Sequence, residues 1–181
     1  MKSLETPIII KTQELQKPAV LYHASSSSDT TELKPRNEKI RNPAEGPVVF
    51  ATPDKAYASC FLVPSDGSWV AIGRYSDDEP WHAVVADEQR FRSLDRGGAI
   101  YCLPSGSFDH NPDANMGEIE WTSKEPVRPI NKELIGSGLE AMIKLGVQVY
   151  FVNKATFAAI EQSPDHGRAI LQELSIANPQ P

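Results

Sequence analysis

Several things are scarce in this 181-residue chain, and each scarcity excludes a class of protein. No apolar run approaches the roughly 20 residues that a membrane-spanning helix needs, so no membrane partner is expected. The opening MKSLETPIIIKTQE holds only three consecutive strongly apolar residues, which excludes a secretory signal of the usual kind. The two cysteines, Cys60 and Cys102, are too few for a disulfide framework and lack the spacing of a metal site. His82, His110 and His166 show no ligand spacing with His23, so no metal is expected. Basic residues are in deficit: the formal charge of −6 argues against non-specific binding to nucleic acid, leaving only the option of a local basic groove. There is no internal repeat. The expectation is a cytoplasmic protein of a reducing compartment, or one delivered by a secretion system that needs no cleaved signal.

What is present suits an ordinary globular domain. Hydrophobic residues are 40% and charged residues 23%, enough for a real core in one domain spanning 1–181. PAVLYHAS reads as a short strand, with Val20 and Tyr22 on one face and Leu21 and His23 on the other. The polar segment 25–46 reads as a long irregular connection with one short turn of helix; so long a loop is more often functional or mobile than decorative. GPVVFAT is a second strand. TPDKAYASCFLV follows as a helix with Thr52 at the N-cap, Pro53 in the first helical position and Asp54 in the first turn. WVAIGRY, WHAVVADEQRF and AIYCLPSG read as strands separated by turn residues, and GEIEWTSKEP as another after the loop FDHNPDANMG. GLEAMIKLG reads as a short helix closed by Gly146, VQVYFV as a strong strand, and the tail as two helical pieces broken near Pro164. The sum is an α+β fold of six to eight short strands with a few helices, mostly without βαβ alternation.

Three places carry candidate chemistry. In GEIEWTSKEP, alternation puts Glu118, Glu120 and Thr122 on one face, and Ile119, Trp121 and Ser123 on the other. The two carboxylates then stand roughly 7 Å apart, at about 3.3 Å of rise per residue. Such a pair serves acid–base work, or faces a positive charge that develops in a transition state; a solvated strand face gives the same pattern. His23 ends its strand where the chain enters a Ser-rich loop, a frequent position for functional residues and also for structural hydrogen bonds. Phe50, Tyr57 and Phe61 flank a strand-to-helix turn, where an aromatic wall could stack on a flat ring or simply join the core.

The order of these elements resembles the ADP-ribosyltransferase superfamily. LYHAS is similar to the LWHGS-type motif of the poly(ADP-ribose) polymerase and diphtheria-toxin branch. GPVVFATPDKAYASCF resembles that branch's G-I-Y-F-A motif and the helix that follows it. EWTSKEPVRPI resembles the strand with the catalytic glutamate before an aromatic. IYCLPSGSFDHNPD is similar to a stretch of the small rifamycin ADP-ribosyltransferases. The resemblance covers about residues 18–130. No family motif is recognised in 133–181, read as a helix–strand–helix extension. Two departures stand out: Ala24 replaces the usual Gly after the histidine, and Val49–Phe50 stand where a tyrosine is usual.

The resemblance implies an ADP-ribosyltransferase-like split β-sandwich, with NAD as co-substrate in the cleft between its halves. It implies mono-ADP-ribosyl transfer to an acceptor that is a protein, a nucleic acid or a small molecule. Glu120 would be the catalytic carboxylate and Glu118 would lie towards the acceptor, with Asp109 a rival acid. His23 would hold a ribose, the Ala24 backbone the carboxamide, and Ser25 would assist. Tyr57, or alternatively Phe61, would stack on the nicotinamide beside Phe50. Two alternatives remain at this level: a non-enzymatic member that binds a nucleotide or protein, and an RNA 2′-phosphotransferase-like enzyme.

Overall fold

The structure is a computed structural model that describes residues 16–36, 46–110 and 119–177. Among them the chain folds as α+β, with three small sheets of three strands and a few short helices. The first sheet has the order β1 (Val20–Ser25), β5 (Gly98–Pro104), β8 (Asn131–Ile135), all antiparallel. The second has the order β2 (Val49–Ala51), β7 (Trp121–Ser123), β6 (Asp109–His110), also antiparallel. The third joins β3 (Val70–Gly73) antiparallel to β4 (His82–Val85), and β4 parallel to β9 (Gln148–Phe151).

Alternation along the strands divides the core. Leu21, Ala99, Tyr101 and Leu103 of the first sheet meet Val49, Ala51 and Trp121 of the second, whereas Ile100 and Ala24 turn to α1 (Lys55–Ser59) and α3 (Gly138–Lys144). In the third sheet Ala83, Val85 and Val149 pack with Phe91 of α2 (Glu88–Leu94). Val84 and Tyr150 face α4 (Lys154–Gln162) and α5 (Arg168–Ala177). Strands covered on both faces carry unbroken apolar runs, which is why HAVV and VYF stand out in the sequence.

Several local expectations change. The N-cap of α1 is Asp54, whose carboxylate accepts the Tyr57 N–H, and Thr52 is instead buried in a bridge to Tyr22. The bridge keeps the Thr52 backbone paired and its hydroxyl accepts the Asp54 N–H at 3.1 Å, so the helix starts later and Asp54 caps it. WHAVVADEQRF is not one strand: after β4, Asp87 caps α2 by accepting the Arg90 N–H. NKELI, to which the sequence reading assigned no element, is the edge strand β8, with four of its five residues exposed. The region after 133 is therefore strand–helix–strand–helix–helix, and it completes the first and third sheets. Strand β7 begins only at Trp121; Ile119 packs with the third-sheet core while Trp121 lies in the core between the first two sheets. No helical turn forms in the described parts of 25–46, which are tied down by the Leu33–Val127 and Arg36–Val48 bridges.

One close approach requires glycine. Gly98 has φ +149°, and a Cβ there would lie 2.1 Å from the Ser25 carbonyl oxygen. Only glycine lets β5 press against the end of β1, where the candidate site begins.

A candidate active-site cleft at the meeting of the three sheets

The antiparallel bridge between Tyr22 and Thr52, with N···O distances of 2.7 and 2.9 Å, joins the first sheet to the second. Successive residues of an antiparallel strand turn their N–H and C=O to opposite edges. Ala24, two residues past Tyr22, therefore turns both polar groups to the same edge as the bridge. Beyond Thr52 no further strand pairs on that edge among the described residues. A cleft of about 570 Å³ opens there, and Ala24 lines it.

Residues that are far apart in sequence meet in this cleft. His23, Ala24 and Ser25 come from the end of β1, Phe50 from β2, Tyr57 and Phe61 from α1 and the turn after it, and Glu120 from the residue before β7. The Tyr57 hydroxyl donates to Glu120 Oε1 at 3.1 Å across a sequence separation of 63 residues. His23 Nδ1 donates to the Phe50 carbonyl at 2.7 Å. Because a carbonyl only accepts, Nδ1 carries the proton. Burial pushes the His23 pKa down, partly opposed by the Phe50 bond and reinforced by the charge of Arg36. The ring is thus neutral at pH 7, with Nε2 left as a lone-pair acceptor. The Ser25 hydroxyl is engaged locally, accepting the Ser27 N–H at 3.1 Å.

The aromatic wall is graded in exposure. Tyr57 is 5% exposed, and Trp81 stacks on its ring with centroids 4.4 Å apart and planes at 30°. Phe61 meets Tyr57 edge-on at 5.1 Å and is 38% exposed, while Phe50 is half-buried. Tyr57 therefore contributes mainly its hydroxyl and one ring side, and Phe61 most of the open aromatic surface.

Other candidates fall elsewhere. Asp109 is exposed on β6, on the far side of β7 from β2, and does not line the cleft. Glu118 lies outside the described residues. Cys60 is buried, and burial followed by the Asp54 charge pushes its thiol up to about 12, so it is no nucleophile. Among the described residues no group of three or more His, Cys, Asp or Glu is placed to hold a metal, and no helix is long and apolar enough to cross a membrane. The sequence reading missed Thr52, Pro64 and Ile72 in the lining, and Trp81 and Asp54 behind it. Only Asp54, placed after Pro53 at a helix start, left a signal that could have found it.

In comparisons with known proteins, the chain matches no family model, no curated protein and no solved structure.

Proposed function

We propose that the protein is an ADP-ribosyltransferase of the split β-sandwich kind, which cleaves NAD at the nicotinamide–ribose bond and passes ADP-ribose to an acceptor. The reading is carried by one observation: His23, the Ala24 backbone, Tyr57 and Glu120 share a single cleft, with Tyr57 donating to Glu120. The cleft volume lies within the range of small-molecule sites.

The chemistry asks little of each group beyond position. As the C–N bond to nicotinamide breaks, positive charge grows on the ribose, and the Glu120 carboxylate stabilises that charge while orienting the ribose 2′-hydroxyl. The Tyr57 hydroxyl holds the carboxylate in place. Ala24 offers one N–H donor and one C=O acceptor on the same edge, matching the acceptor and donor of a carboxamide. The neutral His23 offers Nε2 to a ribose hydroxyl. The bonding electrons leave with nicotinamide, and the acceptor's nucleophile forms the new bond to the ribose. With no acceptor bound, water takes that place and NAD is slowly hydrolysed. Glu118 is assigned to the acceptor side by resemblance alone.

Nothing in the cleft favours the RNA 2′-phosphotransferase alternative: among the described lining residues there is no Lys or Arg for phosphate. The test is release of nicotinamide from NAD by purified protein. Glu120→Gln is expected to lower the rate about a hundredfold or more, and Asp109→Asn to leave it within about twofold. An inactive Asp109→Asn beside an active Glu120→Gln would reverse the assignment. Wild-type protein that binds NAD in calorimetry yet releases no nicotinamide would make this a binding domain.

A further inference from the structure

Behind the cleft, outside its lining, one carboxylate joins two supports of the Tyr57 ring. Asp54 sits between β2 and α1. Its Oδ1 accepts the Tyr57 N–H at 3.0 Å and so caps the helix that carries the tyrosine. Its Oδ2 accepts the indole N–H of Trp81 at 2.7 Å, and Trp81 is the ring stacked on Tyr57. The Arg74 guanidinium lies 4.7 Å from the Trp81 ring centroid, with one nitrogen 3.9 Å from the same Asp54 oxygen. Trp81 is 7% exposed, so its indole N–H has little water to fall back on if Asp54 is lost. None of Asp54, Trp81 or Arg74 lines the cleft.

We infer that Asp54 is a positioning residue for the cleft: by holding the start of α1 and the back of the Tyr57 ring together, it sets where the Tyr57 hydroxyl meets Glu120. The consequence for turnover rests on the transferase reading; the geometric statement does not. A phenol fixed only by its helix could swing about its side-chain bonds. A ring pinned from behind by an indole, itself anchored to the same residue that caps the helix, has one orientation left. Sub-ångström placement of a group that steers the catalytic carboxylate is the kind of support on which rates depend strongly.

Asparagine at 54 separates this role from simple capping. An amide has one acceptor oxygen, and asparagine is as good an N-cap as aspartate. The Tyr57 N–H and the Trp81 indole N–H address different Asp54 oxygens, so in this geometry Asp54→Asn leaves one of them facing its amide NH2 group. Trp81→Phe keeps an aromatic ring behind Tyr57 and needs no acceptor. The experiment compares wild type, Asp54→Asn, Trp81→Phe and the double variant in nicotinamide release from NAD. Alongside, NMR follows the Tyr57 ring protons, which the stacked indole displaces upfield. Asp54→Asn is expected to lower kcat about tenfold with KM within about twofold, and to shift the Tyr57 ring protons downfield. In the Trp81→Phe background the same change should cost less than about threefold, because the two positions act through one contact. Wild-type kcat and unchanged Tyr57 shifts in Asp54→Asn would overturn the inference, as would an undiminished loss in the double variant. If wild type releases no nicotinamide, the transferase reading falls, and the Tyr57 shifts of Asp54→Asn alone decide whether Asp54 positions the ring.

Discussion

Tyr57 and Glu120 are the two side chains on which the cleft turns, and their hydrogen bond is a narrow target. Tyr57→Phe removes only the hydroxyl and keeps a ring under Trp81. A hydrogen bond to a carboxylate is worth about 1.5–3 kcal/mol, so on the proposed transferase reading the loss should appear as at least a tenfold lower kcat with KM little changed. Steady-state kinetics of nicotinamide release checks this. A wild-type kcat in Tyr57→Phe would mean that Glu120 needs no help from the phenol. The same scale shows what single residues reveal in a sequence. Glu120 is visible because a charge precedes an aromatic at a strand start, and His23 because it ends an apolar strand. Trp81 carries no such mark, since a tryptophan opening the run WHAVV reads as core, and its role comes from lying on Tyr57.

At the scale of elements, Asp95 fastens the turn between β8 and α3 to the segment that enters β5. Its carboxylate accepts from the Ser137 hydroxyl at 2.7 Å, from the N–H groups of Gly138 at 2.6 Å and Leu139 at 3.1 Å, and from Gly97. Burial raises its pKa, but these bonds outweigh it, and the net value lies below the ordinary 3.8. Asp95→Ala leaves several donors without a partner and should reduce stability by about 2–3 kcal/mol, measured by urea unfolding with the slope unchanged. An effect below about 0.5 kcal/mol would mean that water replaces the carboxylate. Elements differ in how plainly their sequences mark them. Strands buried on both faces declared themselves, as did the paired tail helices around Pro164. β8 did not, because an exposed edge strand keeps charged residues and lacks apolar alternation. The cap of α1 moved from Thr52 to Asp54 because the Tyr22 bridge claims Thr52, a contact between strands that local propensity does not contain.

For the whole molecule, the half-buried His23 and the buried His82 are expected to govern the response to mild acid. Burial lowers the pKa of both His23 and His82 below the ordinary 6.5; the Phe50 carbonyl and Glu79 respectively oppose that push. Below pH 6.5 the unfolded chain takes up protons that the folded chain refuses, so stability is level above that pH and declines beneath it. For His23 the slope is at most about 1.4 kcal/mol per pH unit. The depressed Asp95 adds a loss only further down, as pH falls from 3.8 through its lower folded value. The melting temperature should therefore drop between pH 7 and 5, and His23→Gln or His82→Gln should flatten that drop. An equal drop in both variants would place the titrating groups elsewhere. From sequence alone came the α+β composition, the secondary-structure type of most elements and the short list of cleft residues, because periodicity, caps and residue chemistry are local properties. Only the tertiary structure decided that residues of all three sheets line one cleft, that Tyr57 reaches Glu120, that Asp109 stands apart and that Asp54 holds Trp81. Those are distances between chain segments, set by how buried faces pack, and no local pattern encodes them.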